Sequence, residues 1–75
     1  MSLNDAKLNA VCVVKSVDVR DEKTKIRLME LGLIEGCLVR VNRKSVLKKT
    51  LLIIFNSTCF TLKDNIAKDI TVNYA

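Results

Sequence analysis

The chain has 75 residues, of which 49% are hydrophobic and only 4% aromatic, and its formal net charge is +5. This length predicts one domain over residues 1–75, with a thin core and little volume for an enclosed substrate cavity. The longest apolar run, residues 51–55, is far shorter than the roughly 20 residues that span a bilayer, and the first residues do not resemble a signal peptide, so we expect a soluble, cytoplasmic protein.

The cysteine and histidine content argues against a metal centre and against catalysis. The three cysteines, Cys12, Cys37 and Cys59, are widely spaced, and the chain contains no histidine. We therefore predict no metal site, no cofactor and no disulfide framework, and we interpret the cysteines as buried, inert thiols. No nucleophile has a base beside it in the sequence, and two glycines are too few for a phosphate-binding loop. The protein is predicted not to be an enzyme.

The first strand is predicted from Val11 to Val17. Its alternation places Cys12 and Val14 on one face, which we take as the core face. The opposite face would then carry apolar residues that could form an interaction site, namely Val11, Val13 and, from the next strand, Leu38. The reverse assignment of the two faces, or a cover over both, stays open.

A helix is predicted from Glu22 to Leu31, with Asp21 as its N-cap. Gly32 follows at once and is expected to end the helix in the left-handed conformation. Gly36 is expected to occupy a second position with positive φ, in the turn that follows. The apolar face of the helix is broad and comprises Ile26, Leu28, Met29 and Leu31.

After Gly36 the hydrophobic pattern acquires the period of a strand, with Cys37, Val39 and Val41 facing a core. Arg43 to Lys49 is interpreted as a basic loop. The remaining elements are an apolar strand over Thr50–Phe55, a tight turn at Asn56-Ser57, a strand over Cys59–Leu62, a helical turn within Lys63–Lys68, and a last strand with Ile70, Val72 and Tyr74. We expect a mainly β fold, a small, partly open SH3-like barrel of five strands with one short helix inserted between the first and second strands.

The positive charge is confined to the second half of the chain. Residues 1–37 carry six basic and six acidic side chains, whereas residues 38–75 carry seven basic and two acidic ones. This asymmetry indicates an anionic partner. The basic loop is either a solvated face, a contact for an acidic protein surface or lipid headgroups, or a nucleic-acid site. Nucleic acid is the less favoured partner, because only Tyr74 is left for base stacking.

Two segments resemble the FeoA family, ferrous iron transport protein A. The residues from Arg27 to Val39 are similar to its signature R-L-x-E-L-G-L-x-P-G-x-x-V, and residues 62–72 to its closing L-R-x-x-x-A-x-x-I-x-V. The chain departs from the family in three turns. Leu8-Asn9 replaces a Pro-Gly pair, although asparagine tolerates the left-handed conformation. Glu35 stands where the motif prefers proline, and the loop from Ser45 to Lys49 lacks the usual glycine and proline.

The resemblance implies a small cytosolic SH3-like domain that acts in ferrous iron uptake together with a membrane permease bearing a GTP-binding domain. It leaves open whether the protein itself binds a transition metal ion. We therefore expect an accessory or regulatory protein that binds the permease and meets the membrane only through this partner, in an oligomeric state that the sequence does not define. The alternative is a basic SH3-like or OB-like barrel that binds nucleic acid.

The signature residues divide into two groups. Four of them are expected to hold the helix against the barrel, namely Leu28, Leu31, Gly32 and Gly36. Polar and half-exposed positions are not required by the core, so they are the candidates for partner binding. These are Arg27, Met29 and Glu30 on the helix, and Arg43, Lys44, Lys48 and Lys49 in the basic loop.

Overall fold

Five antiparallel strands form one sheet in the order β4-β3-β2-β1-β5 in the computed structural model, which describes residues 1–75. The strands are β1 (Cys12–Val17), β2 (Leu38–Ser45), β3 (Thr50–Phe55), β4 (Thr58–Lys63) and β5 (Ile70–Tyr74). Helix α1 (Glu22–Glu30) lies between β1 and β2, α2 (Asp64–Ala67) lies between β4 and β5, and a 3-10 turn (Leu3–Asp5) precedes β1. The mainly β fold with a helix between the first two strands is confirmed. Because β4 and β5 are the two edges of the sheet, the barrel is open.

The core consists of sixteen buried residues, all of them apolar. Strand β3 shows how the sequence creates it, since Leu51, Ile53 and Phe55 are buried while the residues between them are half-buried. Burial of one such large side chain contributes about 1.5–3 kcal/mol to folding. Strand β3 lies between two neighbouring strands, as its apolar sequence predicted.

A narrow seam joins the two parts of the sheet. Strands β1 and β2 pair only at Cys12–Val39 and Val13–Leu38, whereas β1 pairs with β5 over nearly its whole length. Backbone hydrogen bonds extend the seam, including one from Gly36 N–H to the Val14 carbonyl at 2.8 Å. The β2–β3–β4 meander and the β1–β5 pair are therefore two units held together along β1 and β2.

The basic loop is shorter than the sequence predicted. Strand β2 continues to Ser45, so Arg43 and Lys44 belong to the strand, and the loop comprises only residues 46–49. The strand register shifts between Val41 and Arg43, which leaves Asn42 as an additional residue. The shift interrupts the alternation of apolar and polar residues, and for that reason the predicted loop boundary was wrong.

Helix α1 contacts the core through a narrower face than predicted. Leu28 is its only buried residue, whereas Ile26 and Met29 are 51% and 50% exposed. The broad apolar face was therefore an incorrect prediction. Asp21 occupies the N-cap position, as expected, but its carboxylate accepts a hydrogen bond from the Thr24 hydroxyl at 2.7 Å and not from a backbone N–H.

Candidate docking surface

The end of α1 is closed by a Schellman motif. Gly32, at φ +98°, donates its backbone N–H to the Met29 carbonyl at 3.0 Å, and the Leu33 N–H reaches the Leu28 carbonyl at 2.9 Å. Leu28 and Leu33 are both fully buried, which supplies the hydrophobic contact that accompanies this cap. Leu31 is half-buried and packs against the core. Leu28, Leu31 and Gly32 therefore take part in capping the helix and packing its end against the core.

The turn between β3 and β4 adds a second cap that the sequence did not suggest. Asn56 and Ser57 have φ values of +49° and +60°, as in a type I′ hairpin turn. From this turn the Asn56 side-chain amide donates to the carbonyls of Leu31 and Gly32, both at 3.4 Å. A β-carbon at Gly32 would collide with the Asn56 amide. The hairpin therefore holds the helix end in place.

A second turn leads from the helix cap into β2. Gly36 has φ +90°, as predicted, and the Cys37 N–H donates to the Ile34 carbonyl at 3.0 Å, which is the pattern of a type II turn with Glu35 at its second position. In the turn before β1, Asn9 adopts the left-handed conformation with φ +65°. Glu35 and Asn9, which stand at these two turns, therefore both allow a tight turn.

The helix residues singled out for binding lie on two different surfaces. The Arg27 guanidinium lies over the Phe60 ring, 5.9 Å from its centroid, beside β4 and α2. Met29 lines a separate hollow with Ile34 and the end of β1. Glu30 is exposed. The structure therefore does not bring Arg27 and Met29 into a common patch.

The basic residues are also divided. Cross-strand pairing places Lys44 opposite the buried Leu51 and Arg43 opposite Leu52, on opposite faces of the sheet. The Lys44 ammonium donates to the Asn4 carbonyl. Arg43 lines one cleft with Lys48, and Lys48 lines another with Lys49 and Lys63. Three of the four predicted residues therefore surround the hairpin loop, and Lys44 is directed to the N-terminal segment.

An apolar groove of about 250 Å³ crosses the outer face of the sheet. Cys12 and Val14 are buried, so the neighbouring residues face outward: Val11 is 46% and Leu38 55% exposed. Ile54 lies beside them, with Arg40 as its cross-strand partner. The outward assignment of Val11 and Leu38 is thus confirmed, and Val13 is half-buried on the same face. The sequence missed Ile54 and Arg40 as part of this surface, because their placement depends on the strand register.

Comparison with known families decides the affiliation of this fold. The sequence model of the FeoA domain matches residues 1–74. The chain belongs to the FeoA family. No curated protein matches it. This FeoA domain is 31% identical to the FeoA protein of Chlorobium tepidum, with a TM-score of 0.89 over 99% of this chain and 70% of that one.

Two further structures frame the similarity. The FeoA of Stenotrophomonas maltophilia, determined in complex with zinc, is 33% identical with a TM-score of 0.83, over 97% of this chain and 89% of that one. It is described as a prokaryotic SH3 domain protein proposed to act as a bacterial ferrous iron transport activating factor. A manganese-dependent transcriptional repressor shares only the fold, with 15% identity and a TM-score of 0.86 over 100% of this chain and 41% of that one.

The cysteines of this FeoA domain differ in their exposure. Cys12 is buried, Cys37 is half-buried and Cys59 is exposed on β4, so the prediction of three buried thiols was wrong for Cys59. Burial raises the pKa of the Cys12 thiol. Burial also raises the pKa of the Cys37 thiol, although a backbone hydrogen bond with Ile34 acts in the opposite direction. Both thiols therefore stay protonated at neutral pH.

Two further properties of the domain concern metals and membranes. The structure holds no cluster of three or more His, Cys, Asp or Glu side chains with the spacing of a metal site. None of its helices has the length and apolar character needed to cross a bilayer.

Proposed function

We propose that this FeoA domain is a non-enzymatic, cytoplasmic accessory protein of ferrous iron uptake, and that it works as a single domain by binding the cytosolic part of a membrane permease with a GTP-binding domain. Family membership supports a role in iron transport. The description of the S. maltophilia relative as a proposed transport activating factor supports the same role.

The observation that carries a binding role is the apolar outer groove. Val11 and Leu38 expose about half of their surfaces beside Ile54, and no segment of the chain covers them. A contiguous apolar patch on a small domain commonly marks a protein interface, and its burial by a partner supplies the free energy of binding. Arg40 beside the groove suits an interface, where arginine is enriched as an anchor.

Charge complements this groove. The net charge of +5 comes entirely from the second half of the chain, to which the groove strands β2 and β3 belong. Exposed cations such as Arg43, Lys48 and Lys49 accelerate encounter with an acidic partner more than they strengthen the final complex. Arg27, Met29 and Glu30 are alternative contacts on α1, and a variant at Ile34 distinguishes the Met29 side of the helix from the groove.

The test is capture by the purified cytosolic domain of the permease, with affinity measured by calorimetry. Leu38→Asp places a charge in the groove and should weaken binding at least about tenfold. Ile34→Asp is the matched control, since Ile34 is 51% exposed but lies beside Met29 and outside the groove. If Ile34→Asp weakens binding and Leu38→Asp does not, the Met29 side of α1 is the interface. Absence of binding by the folded wild-type domain would reject the proposed function.

Nucleic acid is the second candidate partner, and the structure offers little for base stacking. Phe55 is buried, Phe60 lies under Arg27, and the Tyr74 hydroxyl accepts a hydrogen bond from the Lys7 N–H at 3.0 Å. The basic second half nevertheless warrants one measurement. Binding to single-stranded RNA should show a steep salt dependence if it occurs, and a lack of binding at low salt removes this candidate.

A further inference from the structure

The loop between β2 and β3 exposes two adjacent apolar side chains almost completely. Val46 is 87% exposed and Leu47 is 98% exposed, whereas the other exposed large apolar residues of the chain lie between 41% and 55%. A single exposed leucine needs no explanation. Two such neighbours at the end of a hairpin, Val46 and Leu47, have nothing packed against them and form a projecting hydrophobic tip.

The hairpin that carries the hydrophobic tip is held firmly at its base. Ser45 pairs with Thr50 across the two strands, and the Lys48 N–H donates to the Ser45 hydroxyl at 3.4 Å. The Lys49 carbonyl accepts the Asp64 N–H at 2.9 Å, which ties the loop to α2. The tip is therefore presented by an ordered loop, so that binding through it does not require the loop to become ordered first.

Cations surround the base of the hydrophobic tip. Arg43 and Lys48 share one cleft, and Lys48, Lys49 and Lys63 line the next one, where Asp64 is the only acidic neighbour. The chain has six basic residues and no acidic residue from position 36 to position 63. The hairpin thus combines a protruding apolar end with a positively charged collar, defined here as Arg43, Lys48, Lys49 and Lys63.

We propose that this hairpin binds directly to an anionic lipid surface. Val46 and Leu47 enter the boundary between headgroups and acyl chains, while the collar contacts lipid phosphates. A lipid surface suits a convex tip, because insertion into lipid requires no preformed pocket in the partner. The acyl region accommodates the apolar end of the hairpin while the headgroups contact its cations. The inference goes beyond the proposed function, in which the membrane is reached only through a permease, and it does not depend on that partner.

The first test is co-sedimentation of the full chain with vesicles, either of phosphatidylcholine alone or of phosphatidylcholine with phosphatidylglycerol. The wild-type protein should bind only the anionic vesicles, and binding should weaken as salt is added. Val46→Ser combined with Leu47→Ser should reduce the partition constant at least about tenfold, because the apolar contribution is lost. Lys48→Glu combined with Lys49→Glu should reduce it at least about tenfold as well, since each cation near an anionic surface contributes about fivefold.

The matched control is Ile26→Ser on α1, which removes a half-exposed apolar side chain outside the hairpin and should leave vesicle binding unchanged. All of these positions are exposed, so circular dichroism and thermal unfolding should match the wild type. The comparison thereby separates loss of binding from loss of fold.

Insertion has its own readout because the chain contains no tryptophan. Leu47→Trp provides a single fluorophore at the hydrophobic tip, and its emission should shift to the blue on addition of anionic vesicles. Ile26→Trp should show no shift. Unchanged emission from Leu47→Trp, or equal binding by the serine pair, would mean attraction by charge alone and would overturn insertion.

One result would assign the hairpin to a protein partner. If the wild-type chain binds no vesicles at low salt, while the serine pair weakens capture by the permease domain, the hydrophobic tip docks into a protein groove and the lipid proposal is wrong. If the wild-type chain binds no vesicles and the serine pair leaves capture by the permease domain unchanged, the lipid proposal is also wrong. Binding of wild type that is lost in both paired variants, with the blue shift, establishes it.

Discussion

The side-chain amide of Asn56 occupies the space that a β-carbon at Gly32 would need, and it donates a hydrogen bond to the Gly32 carbonyl at 3.4 Å. Two separate requirements therefore meet at Gly32. Its φ of +98° is unfavourable for residues with a side chain. Its α-carbon also faces the Asn56 side chain, which belongs to the turn between β3 and β4. Gly36 has only the first requirement, because no atom lies within 4 Å of a β-carbon placed there.

Substitution of the two glycines by alanine should therefore have unequal effects. Gly36→Ala is expected to lower the free energy of unfolding by about 1–2 kcal/mol, through backbone strain alone. Gly32→Ala should lower it by about 1–2 kcal/mol more, because the Asn56 amide must move away and loses its hydrogen bonds to the Leu31 and Gly32 carbonyls. Urea unfolding measures both values. Equal losses would show that the Asn56 contact is not important for stability.

The collision can be tested separately by a double-mutant cycle. Asn56→Gly removes the amide and keeps a residue that tolerates the φ of +49° in the turn. In that background Gly32→Ala should cost at least about 1 kcal/mol less than in the wild type, since only the backbone strain remains. If the losses in the free energy of unfolding from Gly32→Ala and Asn56→Gly simply add in the double variant, the proposed contact between the two residues is wrong.

The hairpin turn itself leaves room for stabilisation. Ser57 has φ +60° at the second central position of the type I′ turn, where glycine is preferred. Ser57→Gly should raise the free energy of unfolding by about 0.5–1 kcal/mol, because relief of left-handed strain exceeds the entropic cost of glycine. Ser57→Val serves as the opposite control and should lower the melting temperature. A lower melting temperature for Ser57→Gly would disprove this account.

Glu35 offers a second stabilising change. It occupies the second position of the turn closed by the hydrogen bond from Cys37 to Ile34, a position that suits proline. Glu35→Pro is expected to stabilise the domain by about 0.4–1 kcal/mol by restricting the unfolded chain. Glu35→Ala is the control for loss of the carboxylate and should be nearly neutral. If the proline variant is less stable than the alanine variant, the turn has a backbone conformation that excludes proline.

The extent of agreement between sequence and structure follows from the range of the interactions involved. The glycine that ends α1, the positive φ of Gly36 and the bounds of β3 depend on neighbouring residues, and they could be predicted. Asn56 could not be linked to the helix end, because the contact joins residues 24 and 25 positions apart. The strand position of Arg43 depends on pairing with Leu52, and the separation of Arg27 from Met29 depends on how α1 lies on the sheet.

The three thiols should react with a thiol reagent in order of their exposure. Cys59 is exposed and should react at once, whereas Cys12, whose pKa is raised by burial, should react only after unfolding. Burial of the neutral thiol also makes stability fall as the pH rises above the ordinary thiol pKa towards the raised one, since the unfolded chain then loses protons that the native state keeps. Mass spectrometry of the labelled protein gives the order. Labelling of Cys12 before Cys59 would contradict the structure.

The seam between β1 and β2 has a consequence for synthesis of the protein. The β2–β3–β4 meander can form from neighbouring segments, but β1 obtains most of its strand pairing from β5, more than fifty positions further along the chain. During synthesis, β1 therefore lacks most of its strand pairing until β5 has been made. The first strand of the sheet to be synthesised thus completes its pairing only when the last one is present, which gives chaperones time to bind it.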